Sequence, residues 1–346
     1  MSEETLYPKI SGKPAELVKR LGQLGLAPGK VELIGTVKLH GAHADILVNR
    51  SDEVWLQSRN VSSLNAKIDI YGFDQFMKPL KNVVLDLKRQ YIARYGELNP
   101  ETTIDGRYPL IIAGEWIGHG IQNRVAISQL DRRFVIVSVS INNTWQPDEH
   151  YANIYDEAAG IYNISRAGFY YQTLFLNPPD NESKPEQDAS FAAMQVHTEE
   201  IDKHCPFAAT FGLSGVGEGI VWKVRMPPLH SNPETWFKTK GRTHNTPTVK
   251  MSARGITDGA LMTEKAAAFA EQVVTPRRLQ QGFEYLREMS LSADKFNTGA
   301  YMNWVQRDIF EEEKMDIQNA GIDEKILSKE IGKIAKRHFA KNLIDD

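Results

Sequence analysis

The chain has 346 residues, of which 41% are hydrophobic and 25% charged, and its formal net charge is −3. This length predicts two domains and a large core, and the ordinary composition indicates a globular protein. The small net charge excludes a global attraction to nucleic acid, so any such binding must come from local basic patches. A single cysteine, Cys205, excludes an internal disulfide framework. The N-terminus has no signal pattern and no apolar run reaches membrane-spanning length, so we expect an intracellular protein without a membrane partner.

A lysine at the end of a predicted strand is the first candidate for chemistry. Apolar, β-favouring residues run from Val31 to Lys38. A second short strand covers Ala44–Val48, so Leu39–His43 is the connection, and Gly41 lets it turn. An unperturbed lysine titrates near ~10.4 and becomes a nucleophile only where neighbouring cations or burial favour its neutral form. Taken alone, K-x-H-G is a weak signal, because most such tetrapeptides are plain turns.

An arginine follows the next predicted strand. Glu53–Gln57 alternates polar and apolar residues at its start and ends in Ser58-Arg59-Asn60. Arg59 is either a solvated strand end, which is the better interpretation on its own, or a clamp for phosphate or ribose. The apolar spacing of Asn82–Tyr95 then predicts an amphipathic helix.

A carboxylate interrupts the apolar run Leu110–Ile117, which has the length of a strand. Burying Glu115 alone would cost several kcal/mol, so it is either paired or metal-bound, or it faces water on an edge strand. Phe134–Ile141 is a clear buried strand, whereas Asn142–Gln187 predicts a long excursion with short elements. The helical stretch Asp188–His204 leads to His197, His204 and Cys205, whose spacing matches no common zinc pattern.

Two further strands carry charged residues. Gly212–Gly219 is a glycine-rich turn without the pattern of a phosphate-binding loop, and it leads into the strand Glu218–Val224. Glu218 stands at the start of that apolar run and Lys223 near its end. Thr235–Gly241 follows, where Lys238 and Lys240 stand two apart and therefore point to one face. Like charges on one face are tolerated in open water or around an anion.

The last hundred residues have a different character. Thr246–Gly259 is a predicted linker, so we expect domains at 1–245 and 246–346. The helices predicted beyond it are Glu264–Val274, Thr275–Met289, Thr298–Ile317 and Asp323–Asn342, with Thr275 as N-cap before a proline. Basic positions there are usually solvated, but they could contact phosphates; they are Arg277, Arg278, Lys333, Lys336, Arg337 and Lys341.

Together these weak signals form a consistent site for nucleotidyl transfer. Lys238 and Lys240 would neutralise phosphate charge and favour the reactive form of Lys38. Glu115 and Glu218 would hold Mg²⁺ or a ribose hydroxyl. If both carboxylates were lone buried charges, their removal would stabilise the fold.

The order of these residues resembles the covalent nucleotidyltransferase superfamily, and most closely the ATP-dependent RNA ligases of the double-strand-sealing branch, such as phage RNA ligase 2 and the kinetoplastid editing ligases. KLHG (Lys38–Gly41) is similar to the nucleophile motif, and Ser58-Arg59-Asn60 to the arginine motif after it. The remaining motifs are GEWIG (Gly114–Gly118), EGIVWK (Glu218–Lys223), FKTK (Phe237–Lys240) and the helix start VTPRRL (Val274–Leu279).

The resemblance implies an α+β fold, with an antiparallel-sheet nucleotidyltransferase (ATP-grasp-like) domain followed by a small all-α C-terminal domain. It also implies ATP as AMP donor, Mg²⁺ or Mn²⁺, and an RNA substrate with 5′-phosphate and 3′-hydroxyl ends in a nicked duplex. Lys38 would form lysyl-AMP, AMP would pass to the 5′-phosphate, and the 3′-hydroxyl would displace AMP. The implied ATP or AMP contacts are Val37, Lys38, His40, Gly41, Arg59, Glu115, Val137, Lys223, Lys238 and Lys240, and the implied metal ligands are Glu218 and Glu115.

This chain departs from the family pattern at three places. Family members often carry Glu where Val37 stands and Asn where His43 stands. The position expected to stack on adenine falls at Val137, which is not aromatic.

Four other classes of protein are alternatives. DNA ligases and mRNA capping enzymes share the core motifs, but a β-rich domain normally follows those motifs and the tail here is helical. A non-catalytic RNA-binding descendant of the fold would not require both carboxylates. An adenylyltransferase with another acceptor would share the lysine chemistry.

Overall fold

The computed structural model describes residues 7–8, 10, 14–27, 29–59, 61–65, 69, 71–122, 125–176, 185–241, 259–314, 317 and 321–343. Contacts divide the chain into two compact units, Met1–His244 and Asn245–Asp346, which we call unit 1 and unit 2. Of the predicted linker Thr246–Gly259, only Gly259 is among the described residues. Within these residues, no helix combines the length and apolarity needed to cross a membrane.

Unit 1 combines strands and helices. Its described strands are β1 (Gly29–Lys38), β2 (Ala42–Val48), β3 (Val54–Ser58), β4 (Leu110–Ile117), β5 (Arg133–Ile141), β6 (Thr144–Trp145), β7 (Ile161–Asn163), β8 (Tyr170–Leu176), β9 (Gly219–Val224) and β10 (Phe237–Lys240). Its described α-helices are α1 (Pro14–Gln23), α2 (Phe73–Met77), α3 (Lys81–Leu98), α4 (Pro185–Lys203) and α5 (Pro206–Ala209). The predicted strands and helices of this part are present, with ends that differ by a few residues.

The strands form two sheets. Among the described residues, the first sheet has the order β10-β9-β1-β8, and all of its pairs are antiparallel. The second has the order β3-β2-β4-β5-β6, with β7 parallel to β5 as its one described parallel pair. The antiparallel sheets and the helical unit 2 confirm the predicted α+β class.

Strand β8 is a seven-residue strand within Asn142–Gln187, where the sequence predicts a long excursion with short elements. It pairs with β1 from Gly29↔Leu176 to Gly35↔Tyr170. Its sequence alternation is weak, because the polar Gln172 shares the face of the buried Leu174 and Leu176, whereas the aromatic Tyr171 lies on the other face. A strand that buries only its last residues shows little of the period-2 pattern on which sequence prediction depends.

Alternation along β1 decides which side of the first sheet becomes core. Val31, Leu33 and Val37 share one face and are buried in a cluster with side chains of α1, α4 and α5. The alternate residues of β1, including Thr36 and Lys38, point to the opposite face. A second cluster, formed by Leu47, Ile111, Ala113 and Trp236, packs against Val221 of the first sheet. The two sheets therefore face each other on the side where Lys38 lies.

The described regular elements of unit 2 are all helices. Its α-helices are α6 (Gly259–Val273), α7 (Pro276–Glu288), α8 (Thr298–Glu312) and α9 (Glu324–Lys341). Thr275 caps α7 by accepting a hydrogen bond from the Arg278 amide, as its sequence predicts. Asp323 caps α9 in the same way through the amides of Lys325 and Ile326.

One predicted surface cation of unit 2 is buried. Arg278 is 5% exposed, and its Nη2 donates to Glu313 Oε1 at 2.7 Å while its Nε lies 3.2 Å from Asp308 Oδ2. The interpretation of Arg278 as a solvated phosphate contact is therefore wrong, because its charge is neutralised inside the unit. A buried arginine requires such partners, since an unpaired charge there would be strongly destabilising.

Candidate active site

Three strand ends meet at Gly219. In the register of the first sheet, Gly219 pairs with Lys38 on one side and with Lys240 on the other, and Lys238 pairs with Val221. Residues directly opposite each other in a sheet share a face, so the three lysines lie on the face of the sheet turned toward the second sheet. A Cβ at Gly219 would lie 2.0 Å from the Thr239 carbonyl oxygen, so only glycine allows this close pairing.

Glu218 lies at the centre of this group. Its Oε2 is 2.6 Å from Lys38 Nζ and 3.4 Å from His40 Nδ1, and its Oε1 is 3.3 Å from Lys240 Nζ. The side chain is 2% exposed, whereas those of the two lysines are 22% and 23% exposed. Burial raises the pKa of Glu218, but Lys38, Lys240 and His40 outweigh that effect and hold the pKa well below its usual value. Glu218 is therefore an anion that links two lysines.

Glu115 closes the turn that follows Lys38. Its Oε1 accepts a hydrogen bond of 3.0 Å from the Gly41 amide. A Cβ at Gly41 would lie 2.4 Å from the Trp116 carbonyl oxygen and 2.8 Å from Glu115 Cγ, so steric room alone requires glycine here. Strand β4 is an inner strand between β2 and β5, so the interpretation of Glu115 as an edge-strand residue is wrong.

The residues that flank Lys38 belong to the core, whereas the next residue of the turn belongs to the candidate site. Val37 is 2% exposed and Leu39 4% exposed, and both belong to the main core cluster of unit 1. His40 is half-buried and turns back to Glu218. The backbone around Lys38 is thus fixed by burial on one side and by the carboxylate on the other.

Arg59 lies directly after β3 and is tied to the N-terminal segment. Its Nη1 donates to the Tyr7 carbonyl oxygen at 3.1 Å, and its guanidinium lies 5.9 Å from the centre of the Tyr7 ring. The same ring stacks on His43 at 4.7 Å, and His43 Nε2 lies 2.9 Å from Asp45 Oδ1. Asn60 of the predicted arginine motif lies outside the described residues.

The structure gives Lys223 a different environment from the other three lysines. It is 5% exposed, and its Nζ lies 2.6 Å from Asp148 Oδ2 and donates to Ser138 Oγ at 2.5 Å. The ring of Trp236 covers the ammonium at 4.2 Å. Its charge is already neutralised, so a phosphate contact of Lys223 would require that this pair be broken.

Val137 lies at an irregularity of β5. The β4–β5 register shifts between Ala113↔Ser138 and Gly114↔Ile136, which leaves Val137 without a partner in β4. The side chain is half-buried and packs against two core clusters. Its predicted contact with adenine stays a prediction.

Two partners of candidate site residues were missed by sequence reasoning. Asp148, the partner of Lys223, lies in a short helical turn within the predicted excursion, and Tyr7, the partner of Arg59, lies ahead of α1. The one available signal was a lysine within an apolar strand, which requires a carboxylate but does not identify it. Burial raises the pKa of Tyr7, and the Asp148 carboxylate raises it further.

The donor set fits a metal ion shared with a nucleotide better than a closed protein site. Within the described part of the chain, no three His, Cys, Asp or Glu side chains cluster closely enough to hold a metal. Mg²⁺ is commonly held by one or two carboxylates together with substrate phosphates and water. Glu218 can supply one such carboxylate, because it is ionised and lies among the lysines.

The sequence motifs of a known family cover most of unit 1. The family model described as RNA ligase matches residues 31–240, which include Lys38, Glu115, Glu218 and Lys240. The chain belongs to the RNA ligase family. No protein with a curated function matches it by sequence.

Solved structures of other RNA ligases are distant. A variant of the Naegleria gruberi RNA ligase with ATP and Mn is 16% identical, with 70% of this chain and 60% of that chain covered and a TM-score of 0.41. The Naegleria gruberi RNA ligase with PPi is 13% identical, with 69% and 57% covered and a TM-score of 0.42. An archaeal ATP-dependent RNA ligase is 14% identical, with 97% and 64% covered and a TM-score of 0.37. The chain thus spans between 57% and 64% of the length of these three ligases.

Proposed function

We propose that this member of the RNA ligase family is an ATP-dependent ligase of the double-strand-sealing branch, which joins 5′-phosphate and 3′-hydroxyl RNA ends through lysyl-AMP. The observation that carries the proposal is the group of Lys38, Lys240 and His40 around the buried anion Glu218. Such a group supplies a nucleophile, a cation for phosphate and a carboxylate for a metal at one point.

In the first step, Lys38 Nζ attacks the α-phosphorus of ATP. An N–P bond forms, the bond from the α-phosphorus to the bridging oxygen breaks, and pyrophosphate leaves with the electron pair. Nζ must give up a proton before or during attack, and in this proposal solvent water takes it. Glu218 is a poor acceptor for it, because its pKa lies well below the usual value. Lys38 must therefore leave its contact with Glu218 when the phosphates of ATP enter the site.

The other charged residues have separate roles in this proposal. Lys240 is already within 3.3 Å of Glu218, and Lys238 shares its face of the sheet, so both can approach the phosphates. Glu115 holds the turn after Lys38 through Gly41. Its second oxygen is the group that would contact the ribose.

Mg²⁺ or Mn²⁺ would be held by Glu218 together with phosphate oxygens of ATP. When bound, the ion would neutralise charge on the phosphates.

In the later steps, the RNA 5′-phosphate attacks the phosphorus of lysyl-AMP, and Lys38 leaves as the amine. The RNA 3′-hydroxyl then attacks the 5′-phosphorus, the phosphodiester forms, and AMP leaves. Arg59 is our candidate for the 5′-phosphate contact. Its guanidinium is held by Tyr7, and the described residues provide no carboxylate partner for it.

Labelled ATP tests the proposal directly. The full chain is mixed with α-³²P-ATP and Mg²⁺, denatured, and examined for retained label; a 5′-phosphorylated nicked RNA duplex is then added. We expect one AMP on Lys38, release of the label with RNA, and a sealed strand. Lys38→Ala should take up no label.

Lys88→Ala is the matched control. Lys88 is a partly buried lysine of unit 1 whose Nζ lies 2.6 Å from Asp52 Oδ1, so the variant removes a similar ion pair away from the site. It should label like the unchanged protein. Label on another residue would overturn the assignment of the nucleophile. Label that no RNA or DNA nick releases would indicate an adenylyltransferase with another acceptor.

A further inference from the structure

The exposed side of α9 is strongly and uniformly basic. Five exposed basic residues of α9 lie on this side, namely Lys325, Lys329, Lys333, Lys336 and Arg337. At about 100° per residue, these positions fall within an arc of about 120° around the helix axis. We call these five residues the α9 basic face.

Few carboxylates oppose these charges. Of the two acidic residues within α9, Glu330 lies at the edge of the basic face and its carboxylate pairs with Lys333 at 2.7 Å. Glu324 lies about 100° outside the arc. Within α9, five cations thus face one carboxylate. This local excess of positive charge contrasts with the net charge of −3 of the whole chain.

The opposite side of the helix is fully used by the core of unit 2. Leu327, Ile331, Ala335 and Phe339 are each at most 1% exposed. A helix that binds a lipid surface needs a free apolar face beside its cations. Since the apolar face of α9 is already buried, its basic face suits a hydrophilic polyanion.

We infer that the α9 basic face binds the sugar–phosphate backbone of the duplex RNA substrate. This inference rests on the proposed function for the choice of RNA. The rise of an α-helix places Lys325 and Arg337 about 18 Å apart along the axis, enough to follow several successive phosphates. Lysine acts on phosphate as a point charge, so these contacts are independent of sequence. The surface therefore positions the duplex and does not read its bases.

Burial removes one predicted phosphate contact, Arg278, from the basic residues of unit 2 that could bind RNA. Arg278 at the start of α7 is paired with Glu313 and is not available to RNA. Of the basic positions predicted to contact phosphates, Lys333, Lys336 and Arg337 belong to the α9 basic face, and Lys341 is exposed on the same helix outside it.

Charge-neutral variants of the full chain test the inference. One variant combines Lys329→Gln, Lys333→Gln and Arg337→Gln. A matched control carries the same charge change at three exposed cations elsewhere in unit 2, as Arg287→Gln, Lys295→Gln and Lys314→Gln. Fluorescence anisotropy measures binding of a nicked RNA duplex between 50 and 200 mM salt, labelled ATP measures lysyl-AMP, and thermal melting checks the fold.

We expect the α9 variant to lower the slope of log K against log salt by about 2 to 3, since each lost phosphate contact contributes about 0.9. Lysyl-AMP formation should stay unchanged, and sealing should recover at saturating RNA. The control should bind as the unchanged chain does. An equal loss in the control, or no loss in the α9 variant, would overturn the inference.

Two further measurements separate the remaining outcomes. Loss of binding to anionic vesicles in the α9 variant, with RNA binding intact, would assign the surface to lipid. Because anisotropy does not depend on catalysis, a chain that forms no lysyl-AMP would refute the proposed function while still testing the α9 basic face.

Discussion

Lys38 Nζ and Glu218 Oε2 lie 2.6 Å apart, although 180 positions separate the two residues in the sequence. The contact joins the end of β1 to the residue before β9, and Lys240 approaches the other oxygen of the same carboxylate. Glu218 is thus a paired carboxylate and not the lone buried charge that its apolar surroundings indicated. Its removal is expected to destabilise the fold, because it would leave two partly buried lysines without their counter-charge.

The first prediction is that Glu218→Gln lowers the free energy of unfolding by about 1–3 kcal/mol at pH 7. In the unfolded chain a glutamate titrates near ~4.3, whereas the neighbouring cations hold the folded pKa of Glu218 well below its usual value. As the pH falls, the unfolded chain therefore binds the proton first, and protonation favours unfolding.

This stabilisation is fully present above about pH 5 and is lost as the pH falls toward the folded pKa. Urea unfolding of both proteins between pH 7 and pH 3.5 measures it. We expect the difference between them to be constant at first and to narrow below about pH 4.3. A difference that widens toward low pH would contradict the assigned ion pairs.

The second prediction concerns the lysine pair of β10. Lys238→Ala or Lys240→Ala should slow lysyl-AMP formation by about 10²- to 10³-fold, because each removes a cation that would stabilise the phosphates in the transition state. Single-turnover labelling with ATP measures the rate. Lys30→Ala, which removes an exposed lysine of β1, is the control and should label normally. A decrease of less than about tenfold in the labelling rate would indicate that Lys238 and Lys240 are surface lysines without a role in this step.

The third prediction concerns the room at Gly41. Gly41→Ala places a Cβ 2.4 Å from the Trp116 carbonyl oxygen, so the turn must move and the bond from the Gly41 amide to Glu115 must weaken. We expect lower stability, measured by thermal melting, and strongly reduced lysyl-AMP formation, measured by ATP labelling.

Gly96→Ala is the contrasting variant. Gly96 lies within α3, and an added Cβ there meets no atom within 4 Å. Alanine is the better helix former by about 0.5–1 kcal/mol, so this variant should be slightly more stable and fully active. Equal tolerance of alanine at both positions would show that the turn at Gly41 is not held as tightly as the contacts indicate.

Local pattern was enough to predict the positions that share a face. Residues two apart in a strand point the same way, so Lys238 and Lys240 could be placed together from sequence alone. The apolar runs around Lys38, Glu115 and Glu218 likewise have the length and composition of strands. These features depend only on neighbours in the sequence.

Pairing between distant residues could not be predicted in this way. Lys223 is neutralised by Asp148, which lies 75 positions away in a segment without periodicity. Arg278 is neutralised by Glu313, which lies 35 positions away, directly after the end of α8. Whether Glu115 lies on an inner or an edge strand depends on strand order, which is set by the whole sheet. Each of these outcomes is decided by tertiary packing.

The last prediction separates the two units. The family match ends at residue 240, and the group around Glu218 lies entirely before that point. We therefore expect everything needed for lysyl-AMP to precede unit 2, which carries the α9 basic face. A protein truncated after Asn245 should still place AMP on Lys38 but seal 5′-phosphorylated nicks in duplex RNA about tenfold more slowly or worse, because it lacks those phosphate contacts.

The full chain should prefer nicked duplexes to single strands, and its sealing should weaken steeply between 50 and 200 mM salt. Lys38→Ala in the truncated protein is the control for specific labelling. Gel analysis of sealed product under equal lysyl-AMP loading compares the two proteins, so that a slower first step cannot imitate a defect in RNA binding. Equal sealing by both would show that unit 2 has another role, and a truncated protein that folds but takes up no AMP would place part of the first step in unit 2.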